Sequence, residues 1–467
     1  MAIQNLDVIP RFPKRREIQK LSVNTTITLN ALPAQSPIPL PTSPSKIMTL
    51  SAYSRDLSLW GIPRWPFEPK MERIRTLVLE RLGLRADIPC IISFDSRTAF
   101  RKIYKIIIYQ KIEVQEGREG QKERIYNLSV RYPLQETDET LSDVATMKFA
   151  RKSGVPAPRV IAWDADRRNR LGFEWILTRR LEGKCLRSEW ENLSFGQKEK
   201  VVKSIAKYQA KLFATNFDDI GNLFDAQDAD DYVTDYRYGD FNTSHQISRE
   251  VQPFVGRLIS IASISEKKSY CSFPNSSSYL EALLIPIWKE ILTTLRTSTN
   301  EEEIIKAQRL QKLIEKVHVK ILQIIPETTV STVLVHDELS MRNILIDEIG
   351  NVIGILGWEN AMVMPTWKAT QFPQFLTSEY TPQSERVDQE HITGNMDARI
   401  EAVRLKRLYD DEMAKRVVAW KEEIILGKTK RELEFACKFS SIESCIKEIE
   451  DWVDALETNV PIALVKQ

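Results

Sequence analysis

The chain has 467 residues, 42% apolar and 28% charged, and 66 Lys and Arg stand against 64 Asp and Glu for a formal charge of +2. That length allows two or three structural domains, and the composition is that of an ordinary globular protein. A near-neutral balance excludes nucleic acid or an anionic membrane as a partner held by bulk charge. Five cysteines (Cys90, Cys185, Cys271, Cys437, Cys445) are scattered without a CxxC pair. That is the usage of a reducing compartment, so a cytoplasmic location is expected. The four histidines (His245, His318, His336, His391) are too far apart to suggest zinc, which leaves oxygen ligands for any metal. No run of about 18 apolar residues occurs, so no membrane span is expected.

The first 47 residues are basic and then rich in Ser, Thr and Pro. They have features of a mitochondrial transit peptide, but Asp7, Glu17 and the prolines argue against it, and a flexible leader is expected. Apolar Ile74, Val78 and Leu82 at four-residue spacing predict a helix over 71–84. Two β-rich runs, 102–109 and 125–132, flank a charged, Gly-containing stretch and predict a hairpin with a long solvated loop. A helix follows from Leu141, opened by Thr140 and closed by Gly154, and strands are expected at 159–163 and 172–177. Beyond Gly183 the pattern turns helical, with a capping box at Ser194 and Gln197. Further helices are expected at 278–298, 301–322, 398–423, 430–438 and 442–456. The layout predicts an α+β fold: a β-rich lobe over 48–180, then a larger helical lobe over 181–467, with a cleft between them.

Within the helical half, residues 333–359 read VLVHDELSMRNILIDEIGNVIGILGWE: strand, polar loop, strand, tight turn, strand. The loop holds His336, two adjacent carboxylates (Asp337 and Glu338) and Asn343. That spacing suits phosphoryl transfer, in which a carboxylate orients and deprotonates an acceptor hydroxyl while an Asn on the same loop ligates magnesium. A further Asp after the following hairpin normally bridges metal and phosphates.

The segment resembles the catalytic segment of aminoglycoside phosphotransferases and related small-molecule kinases, His-x-Asp-Leu-x-x-x-Asn-Ile-Leu followed by Ile-x-Asp-Trp. It is most similar to a fungal branch with the pattern HDDLSxxNILVD…ITGIVDWE…PLWKACQ. The blocks SDVATMKFARKSGVPAPRVIAWD, LGFEWILTRRLEGKCL and YQAKLFATNFDDIGNLF extend the likeness over roughly residues 55–457. The resemblance implies a bilobal protein kinase-like fold, ATP and Mg2+ as cofactors, and a small hydroxyl-bearing substrate.

Several family positions have changed. The general base falls on Glu338 instead of Asp. One extra methylene moves a carboxylate by about an ångström, and a displacement of that size can cost ~10²-fold in rate. The metal-bridging Asp falls on Gly357, which has no ligand atom, leaving Asn343 and Glu359 as the candidate metal ligands. A Gly-Gly phosphate turn is replaced by SRTAFRK at 96–102, where Arg97, Arg101 and Lys102 could attract phosphate by charge. The strand residue that meets the α/β-phosphates falls on Ser129. Arg131 lies on the same strand face and is the candidate substitute, with Asp143 as its helix partner. Adenine is expected beside the interlobe segment 177–181.

Three readings follow. The first is a kinase-like protein with weak or absent phosphotransfer and an interaction or regulatory role, a pseudokinase whose protein partner no motif names. The second is an active ATP-dependent kinase of a small hydroxyl compound, with Glu338 or Asp337 as base. The third is a scaffold that binds no nucleotide.

Overall fold

The computed structural model describes residues 65–98, 100–114, 118–132, 138–225, 253–259, 272–325, 331–377 and 396–458. The expected leader at 1–47, and the acidic stretch beyond Thr377 as far as His391, lie outside the described residues.

Helix α1 (Met71–Arg81) precedes a five-stranded antiparallel sheet. Its strands are β1 (Cys90–Arg97), β2 (Arg101–Val114), β3 (Arg118–Arg131), β4 (Val160–Asp164) and β5 (Trp175–Arg179), in the order β1-β2-β3-β5-β4. Helix α2 (Asp138–Lys152) connects β3 to β4. Strand alternation divides the sheet into two faces. Lys102, Tyr104, Ile106 and Ile108 of β2 and Tyr126, Leu128 and Val130 of β3 are buried on one face. There α1 contributes Ile74, Leu77 and Val78, and each fully buried aliphatic side chain adds about 1.5–3 kcal/mol. Arg101, Ser129 and Arg131 lie on the opposite face.

β1 is an addition to the expected elements. Its sequence CIISFDSR is largely exposed and carries no burial pattern to read. Strands β2 and β3 stay paired out to Val114 and Arg118, where a solvated loop is expected; backbone pairing holds the extension. Helix α2 begins at Asp138, ahead of the expected start, and Thr140 lies inside it, its hydroxyl donating to Glu174 Oε2 at 2.7 Å.

Past β5, strand β6 (Lys184–Cys185) and a single turn, α3 (Leu186–Glu189), lead into α4 (Phe195–Leu212). The predicted capping box opens α4, since the Gln197 amide donates to Ser194 Oγ and the Ser194 amide donates to Gln197 Oε1. Strands β7 (Asn222–Phe224) and β8 (Phe254–Gly256) pair with each other, and α5 (Ser276–Thr297) and α6 (Glu301–Ile324) follow. Next come β9 (Thr332–Val335), β10 (Ile344–Ile346), β11 (Val352–Ile355), β12 (Met362–Pro365) and the turn α7 (Thr366–Ala369). Helices α8 (Met396–Ala414), α9 (Trp420–Phe439) and α10 (Glu443–Thr458) complete the described chain. The one helix expected over 398–423 is broken at 415–419. There Trp420 turns into an aromatic cluster with Phe213, Phe372 and Tyr409, so indole packing overrides helix propensity. The architecture is α+β, a β-sheet lobe followed by a larger, mostly helical one.

A buried ion cluster ties three helical elements together. Glu434 of α9 accepts from the Tyr279 hydroxyl of α5 at 2.7 Å and pairs with Lys368 of α7 and with Lys438, each at 2.8 Å. Burial pushes this carboxyl up, but the two lysines outweigh it and hold it at about 2. A carboxyl held below its ordinary 4.5 stabilises the fold above that pH, and the contribution is lost as pH falls toward 2. The loss amounts to about 3 kcal/mol for a shift of this size. Urea unfolding across that window is expected to show it in the native protein, with a flatter profile for Glu434→Gln. Identical pH slopes for the two proteins would contradict the assignment.

Candidate active site

The segment 333–359 folds as β9, a polar loop, the β10–β11 hairpin and a closing turn. Asp347 makes the hairpin turn, its Oδ1 accepting from the amides of Ile349 and Asn351 at 3.1 and 2.7 Å. Gly350 supplies the left-handed residue at φ +79°. In the loop, His336 Nε2 lies 2.7 Å from the Leu356 carbonyl, and its ring sits edge-on to Trp358 at 4.6 Å. A carbonyl only accepts, so Nε2 carries the proton. Burial lowers the affinity of this ring for a second proton, which suits a neutral, structural histidine. Asp337 and Glu338 are both exposed. Partial burial raises the Glu338 pKa, and neighbouring Glu359 and Asp337 raise it further. Asn343 turns back on its own loop, its Nδ2 donating to the Glu338 carbonyl at 2.8 Å. Its backbone carbonyl accepts from the Leu356 amide at 2.7 Å.

Facing this loop is a charge cluster built on the sheet. Arg101 and Arg131 are direct register partners across β2 and β3. Like charges placed directly opposite repel, and here both guanidiniums are also nearly buried. Asp143 of α2 resolves the conflict, since its Oδ2 accepts from Arg101 Nη2 at 2.6 Å and also from Arg131 Nη2. Glu139, one helical turn earlier, pairs with Arg131 as well. Burial and then the adjacent Arg101 bring Arg131 down to about 10. From the other lobe, Glu359 reaches Arg101 Nη1 at 3.3 Å. Burial raises the Glu359 pKa, but Arg101 leads the opposing influences and the net shift is downward. The cluster therefore joins β2, β3, α2 and the turn that follows β11.

The profile of the phosphotransferase enzyme family matches residues 124–367, from the middle of β3 into α7. The chain belongs to the phosphotransferase enzyme family. Among curated relatives, a subtelomeric hrmA-associated cluster protein of Aspergillus fumigatus is 25% identical over 276 residues, 50% of this chain and 52% of that protein. A protein of Debaryomyces hansenii named altered inheritance of mitochondria protein 9, mitochondrial, is 32% identical over 122 residues, 24% of this chain and 19% of its own. The chain spans about half the length, or less, of the curated relatives it matches. Among solved structures, ADP-bound aminoglycoside phosphotransferase APH(2'')-Ib has a TM-score of 0.42 at 11% identity, covering 82% of this chain and 97% of that one. A putative aminoglycoside phosphotransferase of Ralstonia eutropha has a TM-score of 0.40 at 11% identity, covering 84% and 96%.

Residue 357, where the resemblance implies a metal-bridging Asp, is glycine and offers no ligand atom. Gly357 stands at φ +79°, ψ +42°, and a Cβ there would lie 2.6–3.0 Å from the Asn343 carboxamide atoms. The Asn343 side chain thus fills the space where a side chain on residue 357 would begin. Its amide nitrogen donates to the Glu338 carbonyl, which leaves Oδ1 as the atom it could offer a metal, and the Glu359 carboxylate pairs with Arg101. Among the described residues, no group of three His, Cys, Asp or Glu side chains is arranged to hold a metal ion.

The expected phosphate-side residues separate. Arg131 and Asp143 come together, but Lys102 does not join them. It lies on the α1 face of the sheet, paired with Glu68 and 4.3 Å from the centre of the Trp65 ring. The two-residue strand period sends it opposite to Arg101. Arg97, paired with Lys102 in the β1–β2 register, is exposed at the end of the hairpin. That hairpin is closed without glycine by the Thr98 amide donating to the Arg101 carbonyl at 2.9 Å. Glu139 and Glu174 are the participants sequence reasoning missed. Glu174 accepts from Thr140 and from Arg167 Nε at 2.9 Å, and its carbonyl receives the Arg131 amide. The i, i+4 spacing of Glu139 and Asp143 was a readable signal, whereas nothing local links Glu174 to the cleft.

The Gly357–Asn343 packing can be tested by a double-mutant cycle. Gly357→Ala is expected to cost about 1–3 kcal/mol, from a left-handed backbone plus the clash with Asn343. Adding Asn343→Ala removes the clash, so the double variant is expected to be more stable than the sum of the single losses by at least ~0.5 kcal/mol. Strict additivity in urea unfolding would show that the two side-chain positions do not compete.

Proposed function

We propose that this chain is a nucleotide-binding, kinase-like member of the phosphotransferase family in which ATP-dependent phosphotransfer is weak or absent, and whose role is interaction or regulation. The observation that carries the reading is the Asn343 carboxamide packed against Gly357. Phosphoryl transfer is mostly positioning and charge neutralisation, and a bridging carboxylate at this place normally anchors the metal–phosphate complex. With the carboxylate absent and its space filled, chemistry is impaired while the loop remains in place. The Arg131–Asp143 pair supports a cleft that keeps its phosphate side, with the adenine beside 177–181. Cytoplasmic residence belongs to the same proposal, on the cysteine pattern. Mitochondrial residence is the alternative that the names of the yeast relatives suggest.

An active kinase is the second reading, favoured by one observation. Asp337 and Glu338 both stay exposed on the loop, and Glu338 is shifted up, toward the range of a working base. In that case Glu338 or Asp337 deprotonates the hydroxyl of a small molecule, and Asn343 and Glu359 turn to hold Mg2+.

Thermal unfolding with ATP, with and without Mg2+, separates the readings. A ligand at about 100 times its Kd stabilises the native state by ~2.7 kcal/mol, enough to move the melting temperature. A shift without phosphate release is the expected outcome. A metal-dependent shift with turnover that Asn343→Ala abolishes would replace this reading with the active kinase. No shift under any condition would leave a scaffold that binds no nucleotide.

A further inference from the structure

Glycine at 357 leaves open what balances a nucleotide's phosphates, and the charge cluster on the sheet supplies an answer. We propose that Arg101 is the anion-binding residue of this cleft and that Glu359 is its built-in competitor: a nucleoside diphosphate binds by displacing the Glu359 carboxylate from Arg101, with no divalent cation required. The inference rests on the nucleotide-binding reading above and deepens it.

The two carboxylates on Arg101 are not equivalent. The Asp143 oxygen lies at 2.6 Å, and its side chain is 5% exposed, so releasing it would strand a carboxylate away from water. The Glu359 oxygen lies at 3.3 Å, and its side chain is 39% exposed, so it can leave Arg101 and be hydrated at once. Glu359 is therefore the exchangeable ligand. An arriving phosphate oxygen would take over the same guanidinium edge, Nη1, while Asp143 keeps Nη2. Arginine is suited to the exchange because its planar fork accommodates carboxylate or phosphate oxygens.

Position supports this assignment over the other basic residues of the region. Arg131 is already held by Asp143 and Glu139, both on α2. Lys102 is on the far face, paired with Glu68. Arg97 is exposed at the end of its hairpin. Among the described residues, Arg101 is the one of these four ion-paired with a carboxylate of the opposite lobe, so exchange at Nη1 also releases a tie between the lobes. Glu359 is read here as the anion's stand-in and not as a metal ligand, and the two roles predict opposite effects of removing its charge.

Isothermal titration of ADP into the full chain, in EDTA and in Mg2+, tests the exchange. Affinity is expected to be the same within about twofold in the two buffers. Glu359→Gln should tighten ADP about two- to fivefold, the scale of a partly exposed ion pair. Arg101→Met should weaken it by about tenfold or more, with Arg101→Lys as the companion variant in case Met unfolds the cluster. Melting curves report whether each variant is folded. Binding that vanishes in EDTA, or that Glu359→Gln weakens, would overturn the exchange while leaving the nucleotide-binding reading intact. No binding by any folded form in either buffer would overturn both.

Discussion

Two arginines stand side by side across the β2–β3 ladder, nearly buried, and the carboxylate of Asp143 is what makes that arrangement tolerable. Guanidiniums do not lose their charge at any ordinary pH, so the repulsion cannot be relieved by titration. It has to be met by a carboxylate, and a buried one is stable only if its own desolvation is offset by several short hydrogen bonds. Asp143 receives hydrogen bonds from both arginines, although burial still leaves its carboxyl above the ordinary carboxylate range. Because it sits on α2, the pairing fixes the helix against the end of the sheet. Through Glu359, Arg101 carries the same constraint across to the turn after β11.

The two halves of the candidate site have been altered in different ways. At residue 357 a glycine packs against the Asn343 carboxamide, which fills the space a side chain there would need. On the phosphate side, positive charge is abundant but neutralised within the protein. The loop order of 333–359 is kept while the arginines beside it are paired within the protein.

The acceptor side has its own support. Tyr279, Lys368, Glu434 and Lys438 form a largely buried cluster, and the Asp337 charge acts on both Tyr279 and Lys368. Helices α5, α7 and α9 meet at this cluster. Loops that carry function are usually held by such scaffolds.

The strand–loop–hairpin order of 333–359, the capping box of α4 and the apolar face of α1 were legible because each is written in a few neighbouring residues. The family itself was readable from the HDELSMRN and ILGWE blocks. The pairing of Arg131 with Asp143 was within reach, because both lie close in sequence on elements with a clear period. The face of Lys102 was not: KIYKIIIY is apolar at alternate positions on both sides, so its pattern does not say which side turns toward the cleft. The break before Trp420 and the extension of the β2–β3 ribbon were hidden for a related reason, since packing partners and backbone pairing leave little mark on local composition. Local order was thus determined by sequence alone. That Asn343 fills the vacated space, that Arg101 and not Lys102 faces the cleft, and that Glu359 answers Arg101 were decided only by tertiary structure, because each depends on atoms brought together from distant parts of the chain.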